Sequence, residues 1–140
     1  MQIYFACSIT GGRQDEAVYQ QLVKTMLDDG HEVPTAILAD TIVVHMEENA
    51  DPDDVYARDV AWIRGSHAMV AEVSTPSHGV GYEIGYALAL GKPVLCLHHA
   101  ERKVSKMITG NPDPNLHIFT YESVEDAIIA MRMFLDGVTG

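Results

Sequence analysis

Two acidic residues, Asp59 and Glu83, stand out because their predicted surroundings differ. In the predicted helix from Pro52 to Arg64, Val55 and Ile63 define an apolar face, and Asp59 falls in its middle. A carboxyl group in that position should have a raised pKa. Glu83 lies near the start of another predicted helix, whose dipole should keep it ionised. Two carboxyl groups that differ in this way can act as acid and nucleophile, which is the chemistry that cleaves glycosidic bonds.

The stretch from Met69 to Leu90, MVAEVSTPSHGVGYEIGYALAL, positions Glu83. Its pattern predicts a buried strand, a loop and a helix. Such a junction places backbone N–H groups at the carboxyl edge of a sheet, where anionic ligands bind in α/β folds, and glycines at 79, 81 and 85 let a ligand approach closely. From this stretch alone, two interpretations of Glu83 stay open. It can take part in the chemistry of the site, or it can be an acidic residue that only complements the helix dipole.

The rest of the chain alternates strands with helices. Strands are predicted at Gln2 to Cys7, weakly at His31 to Val33, at Val94 to Leu97 and at Leu116 to Thr120. Together with the strand before Glu83, this predicts one α/β domain with a doubly wound sheet of about five parallel strands. Tyr4, near the end of the first strand, could reach the same sheet edge or be purely structural.

Two further predictions concern segments around this sheet. Ser123 is predicted to cap the last helix. The segment from Thr35 to Asn49 fits no single period and could contribute to a lid.

Composition restricts the partners. The 140 residues carry 20 Asp and Glu against 9 Lys and Arg, a net charge of −11. Nucleic acid would be repelled, whereas a small phosphorylated ligand can still be held by backbone amides and hydroxyls. Cys7 and Cys96 lie in apolar runs, which predicts buried, reduced thiols in a cytoplasmic protein. No run is long enough to cross a membrane, and the first residues lack the charged region of a signal peptide.

Several familiar motifs are not matched. GVGYEIG is one residue too long for the dinucleotide fingerprint, and Gly11-Gly12-Arg13 lacks the Gly-Lys-Ser/Thr of a P-loop. The seven histidines are scattered, and no Ser, His and acid set has the spacing of a nucleophile elbow. We therefore predict neither a metal nor a cofactor.

Four stretches together resemble the 2′-deoxynucleoside 5′-monophosphate N-glycosidases, a branch of the nucleoside 2-deoxyribosyltransferase superfamily. They are IYFACSITGGRQDE at 3–16, YARDVAWI at 56–63, AEVSTPSHGVGYEIGYALALGKPVLCL at 71–97 and VSKMITG at 104–110. The resemblance implies a flavodoxin-like dimer that hydrolyses the bond between base and deoxyribose. It places the nucleophile at Glu83, the carboxylate that assists departure of the base at Asp59, and a tyrosine that positions nucleophile and sugar at Tyr4.

The resemblance also implies the remaining binding residues. Ser8, Ser77 and Ser105 match hydroxyls around the 5′-phosphate, and Ser105 is expected to reach in from the neighbouring subunit. The positions that match the lining of the site are Ile9, Gly11, Gly79 and Gly81.

This sequence also departs from the family. Thr10 stands where members often have arginine, and the segment from Thr35 to Asn49 aligns poorly, so base preference stays open. The resemblance also extends to related ribonucleotide hydrolases, which have phenylalanine at the position of Tyr4. The tyrosine therefore favours deoxyribonucleotides as substrates. Three alternatives to this function stay open: a nucleoside 2-deoxyribosyltransferase, a CMP-type N-glycosidase and a non-catalytic nucleotide sensor.

Overall fold

A computed structural model describes residues 1–9, 14–40 and 43–139. Its sheet has four parallel strands, β1 (Ile3–Ala6), β2 (Ala68–Glu72), β3 (Val94–His99) and β4 (Leu116–Tyr121), in the order β1-β2-β3-β4. The parallel α/β architecture is confirmed, but the prediction of about five strands is wrong.

The missing strand is the weak one predicted at His31 to Val33. Glu32 forms a single parallel bridge with Gln2, in which its N–H donates to Met1 O and its carbonyl accepts from Ile3 N, both at 2.8 Å. In a parallel ladder the next donor on this chain would be residue 34. That residue is Pro34, which has no backbone N–H, so the pairing stops after one bridge.

Helices cover both faces of the sheet. Ile3 and Phe5 of β1 pack in an apolar cluster with residues of α1 (Glu16–Asp28) and α6 (Val124–Thr139). The intervening Tyr4 and Ala6 belong to a second cluster with residues of α3 (Pro52–Gly65) and α4 (His78–Ala89). Successive strand residues point to opposite faces, so this alternation directs Tyr4 towards the helices that carry Asp59 and Glu83.

Side chains cap the starts of α3 and α6, and the cap at Ser123 was predicted. The Asp51 side chain accepts from the N–H of Asp53 at 2.9 Å, and Ser123 Oγ accepts from the N–H of Asp126 at 3.2 Å. The segment that fitted no period contains a 3-10 helix (Ala36–Ala39) and the short helix α2 (Val43–Glu48), and a further short helix, α5 (Lys106–Thr109), precedes β4. Within the described ranges no helix is long and apolar enough to span a membrane.

Both cysteines are buried thiols outside any disulfide, as predicted. Cys7 belongs to the cluster under α1 and α6, and Cys96 to the cluster under α3 and α4. The two thiols therefore lie on opposite sides of the sheet.

Candidate active site

Two adjoining cavities lie where β1 and β2 end and α4 begins. The first, which we call the carboxylate cavity, has a volume of about 430 Å³, and its lining includes Tyr4, Ile9, Glu47, Asp59, Ser77, Gly79 and Glu83. The second, the serine cavity, has a volume of about 610 Å³, and its lining includes Ser77, His78, Gly81, Lys103 and Ser105. Both volumes fall within the range of roughly 300–1,000 Å³ typical of small-molecule sites.

Tyr4 and Glu83 are joined directly in the carboxylate cavity. The Tyr4 side chain is 1% exposed, and its hydroxyl donates a hydrogen bond to Glu83 Oε2. Burial raises the pKa of Glu83 to about 8. The prediction that the helix dipole keeps Glu83 ionised is therefore wrong. Glu83 is beyond the first turn of α4, where the dipole acts most strongly, and loss of solvent outweighs it.

Asp59 approaches the same cavity from α3. Burial raises its pKa, as predicted, while Arg58 opposes this effect by donating from Nε to Asp59 Oδ1 at 2.9 Å. Arg58 Nη2 also donates to Glu47 Oε1 at 3.0 Å, so one guanidinium is shared by two carboxylates. The guanidinium lies over the Trp62 ring, 5.0 Å from its centroid. Sequence analysis did not identify Glu47, since its segment showed no clear period.

The two serines of the second cavity each cap a helix. Ser77 Oγ accepts from Val80 N at 3.3 Å and lines both cavities. Ser105 Oγ accepts from Met107 N at 3.2 Å and lines the serine cavity of its own chain. A Cβ built on Gly81 meets nothing within 4 Å, so packing inside the described chain does not require glycine there.

Two of the predicted binding residues are not placed at either cavity. Ser8 is completely buried and is absent from the lining of both, so its contact with a phosphate stays a prediction. Gly11 lies outside the described residues, as does Thr10.

A buried acid that sequence analysis did not identify holds the loop before α4. Glu72, at the end of β2, is 0% exposed and accepts from Ser74 N at 2.6 Å, from Ser74 Oγ at 3.0 Å and from the Tyr121 hydroxyl. Burial raises its pKa, and these donors oppose the rise. The signal in the sequence that could have identified Glu72 is a single charged residue within the apolar run that predicts the strand.

The same loop is tied to α1 and to the segment after β3. Thr75 Oγ1 donates to Asp15 Oδ2 at 2.8 Å, and Arg102 Nη2 donates to Asp15 Oδ1 at 2.9 Å. Arg102 Nη1 also donates to the Ser74 carbonyl at 3.3 Å. The loop that leads to Ser77 is thereby fixed on several sides.

The fold and this site define a parallel α/β protein with a carboxylate-lined cleft at the carboxyl edge of its sheet. Residues 3–131 match the nucleoside 2-deoxyribosyltransferase family. The chain belongs to that family.

Named relatives support this membership. The chain is 40% identical over 137 residues to the 5-hydroxymethyl-dUMP N-hydrolase of Mus musculus, an alignment that covers 94% of this chain and 79% of the relative. It is 40% identical over 111 residues to a candidate 2′-deoxynucleoside 5′-phosphate N-hydrolase of Methanococcoides burtonii, an alignment that covers 79% of this chain and 91% of the relative. The structure of a Clostridium botulinum CMP N-glycosidase superposes with a TM-score of 0.74 at 20% identity, and the superposition covers 96% of this chain and 99% of that protein. This similarity shows a shared fold.

Proposed function

We propose that this protein is an N-glycosidase that hydrolyses 2′-deoxynucleoside 5′-monophosphates to a free base and 2-deoxyribose 5-phosphate. The observation that carries the proposal is the Tyr4–Glu83 hydrogen bond in a cavity that Asp59 also lines. Relatives at 40% identity are named as N-hydrolases of 5′-phosphorylated deoxynucleosides, which supports the same bond and the same substrate class.

Glu83 is the proposed nucleophile. Once ionised, its carboxylate attacks C1′ as the bond to the base nitrogen breaks, and a glycosyl ester forms. Water then attacks C1′ of this ester and passes one proton to the Asp59 carboxylate left after the base departs, so that 2-deoxyribose 5-phosphate is released and the Glu83 carboxylate is regenerated. The Tyr4 hydroxyl stabilises the ionised form of Glu83 and so opposes the effect of burial on its pKa.

Asp59 is the proposed acid. A base departs poorly as an anion, so a proton delivered from Asp59 to the base as the bond breaks accelerates cleavage. The raised pKa of Asp59 favours this protonated form. For a reaction that retains configuration, the two carboxyl groups are expected to lie about 5–5.5 Å apart in the substrate complex.

The phosphate is assigned to the serine cavity. Ser77 lines both cavities and Ser105 lines the second, where their hydroxyls can donate hydrogen bonds to the 5′-phosphate of a sugar held beside Glu83. We further infer a homodimer in which Ser105 also serves the neighbouring site. Mixing Ser105→Ala with Glu83→Ala subunits should then restore turnover, and the absence of restoration would confine Ser105 to its own subunit.

The primary experiment is a panel of deoxyribonucleoside and ribonucleoside monophosphates, with released base measured by chromatography. We expect deoxyribonucleotide turnover and a deoxyribose phosphate adduct on Glu83, detected by mass spectrometry after rapid denaturation and digestion. An adduct on another residue would refute the nucleophile assignment. Intact nucleotides throughout would refute the function, and nucleotide binding that survives Glu83→Ala without any base release would indicate a sensor.

The leading alternative is transfer of deoxyribose to a second base, because the matched family takes its name from that activity. The serine cavity favours a phosphorylated substrate instead. Comparing a monophosphate with its deoxynucleoside, with and without acceptor base, distinguishes the two activities. A preference for CMP over deoxyribonucleotides would instead indicate the ribonucleotide alternative.

The buried, unbridged cysteines support a reducing, cytoplasmic setting for the proposed activity.

A further inference from the structure

Charge is divided between the two adjoining cavities. The described lining of the carboxylate cavity includes Glu47, Asp59 and Glu83 and contains no lysine, arginine or histidine. The described lining of the serine cavity contains Lys103 and His78 and no carboxylate. In a chain with a net charge of −11, a large cavity without acidic lining is the part of this site best suited to an anion.

Most other basic groups near the sheet edge already have partners. Arg58 bonds Asp59 and Glu47, and Arg102 bonds Asp15 and the Ser74 carbonyl. Further basic residues that are engaged elsewhere are Lys24 with Asp28, Arg132 with Asp29, Lys92 with two backbone carbonyls and Arg64 with the Tyr86 hydroxyl. Within the part of the chain that the structure describes, Lys103 has no carboxylate partner, and it is the lysine that lines the serine cavity.

The backbone beside Lys103 is held in place. Arg102, the preceding residue, is anchored to Asp15 and to the loop that leads to Ser77. Ser105, two residues later, is fixed as the cap of α5 and lines the same cavity. The lysine side chain is therefore presented to the cavity from a segment tied on both sides.

We propose that Lys103 supplies the positive charge that binds the 5′-phosphate and makes this protein prefer phosphorylated substrates. The inference rests on the proposed function and deepens it by naming a specificity residue that the family resemblance did not point to. Because Lys103 is exposed, its contribution should be modest and should weaken as salt rises.

The test compares Lys103→Met with Lys106→Met, a matched control on α5 whose side chain does not line either cavity. For Lys103→Met we expect KM for a deoxyribonucleoside monophosphate to rise roughly three- to tenfold at low salt with kcat within twofold of native. The difference should shrink at 0.5 M salt, and Lys103→Arg should retain most of the native KM. Residual turnover of the unphosphorylated deoxynucleoside should not change.

Calorimetric binding of inorganic phosphate gives a readout that does not require turnover. Lys103→Met should bind phosphate more weakly than native protein, whereas Lys106→Met should match native. Equal KM and equal phosphate affinity in the native, Lys103→Met and Lys106→Met proteins would overturn the inference even if the native protein hydrolyses nucleotides. Native protein that releases no base refutes the proposed function separately, and the phosphate titration still decides whether Lys103 binds the anion.

Discussion

Replacing Tyr4 with phenylalanine removes the hydroxyl that donates to Glu83 and leaves the buried ring in place. A hydrogen bond to a charged group contributes about 1.5–3 kcal/mol, which corresponds to roughly one to two pH units in the pKa of the acceptor. Phenylalanine should therefore move the pKa of Glu83 further above its native value of about 8. Below that pKa, each unit of increase lowers the ionised fraction of Glu83 about tenfold.

The expected result at pH 7 is a decrease of roughly 10- to 150-fold in kcat/KM for a deoxyribonucleoside monophosphate. Titration of the Glu83 carboxyl carbon by NMR should show the increased pKa directly. Tyr86→Phe is the control, because it removes a hydroxyl that accepts from Arg64 outside both cavities. An unmoved carboxyl titration, or a decrease in kcat/KM no larger than that of Tyr86→Phe, would refute the role assigned to Tyr4.

Three other predictions concern the acids and the core. Asp59→Asn should lower kcat by about 10²–10⁴-fold, with the smallest loss for the most acidic leaving base, because the amide cannot deliver a proton; native kcat in this variant would contradict the assignment. Glu83→Gln should be more stable than native protein near pH 8, and the difference in melting temperature should vanish near pH 4.5. The reason is that the carboxyl pKa rises from 4.5 to about 8 on folding, so the native protein loses stability as pH rises between these values. A difference independent of pH would contradict this reasoning. Leu22→Ala should lower the free energy of unfolding by about 2–5 kcal/mol in a denaturant titration, whereas Leu27→Ala, at a position 47% exposed, should change it much less.

Sequence reasoning predicted the helices and the strand around Asp59 and Glu83 better than it described the local electrostatics. The apolar face around Asp59 follows from helical spacing, and the strand before Glu83 follows from a continuous apolar run; the folded chain contains both elements. The protonation state of Glu83 could not be read in the same way. It depends on how much solvent the packed cavity excludes, which is a property of tertiary structure.

The remaining differences arise from contacts between distant residues. Pro34 directly follows the weak strand predicted at His31 to Val33, but only the register with Gln2 shows that it limits the pairing to one bridge. Glu72 finds its hydroxyl partner 49 residues along the chain, at Tyr121. Lys103 lies in a polar connection without periodicity, so only the folded arrangement relates it to Ser77.

The placement of Cys96 between the sheet and the helices α3 and α4 makes it an internal reporter of local opening. Its side chain is 0% exposed, so a thiol reagent can reach it only when that layer loosens, whereas Cys7 also lines the carboxylate cavity. The alkylation rate of a variant that retains only Cys96 would therefore time the opening of this layer. Slower labelling of Cys96 on adding nucleotide would show that ligand binding rigidifies the half of the protein that carries Asp59 and Glu83.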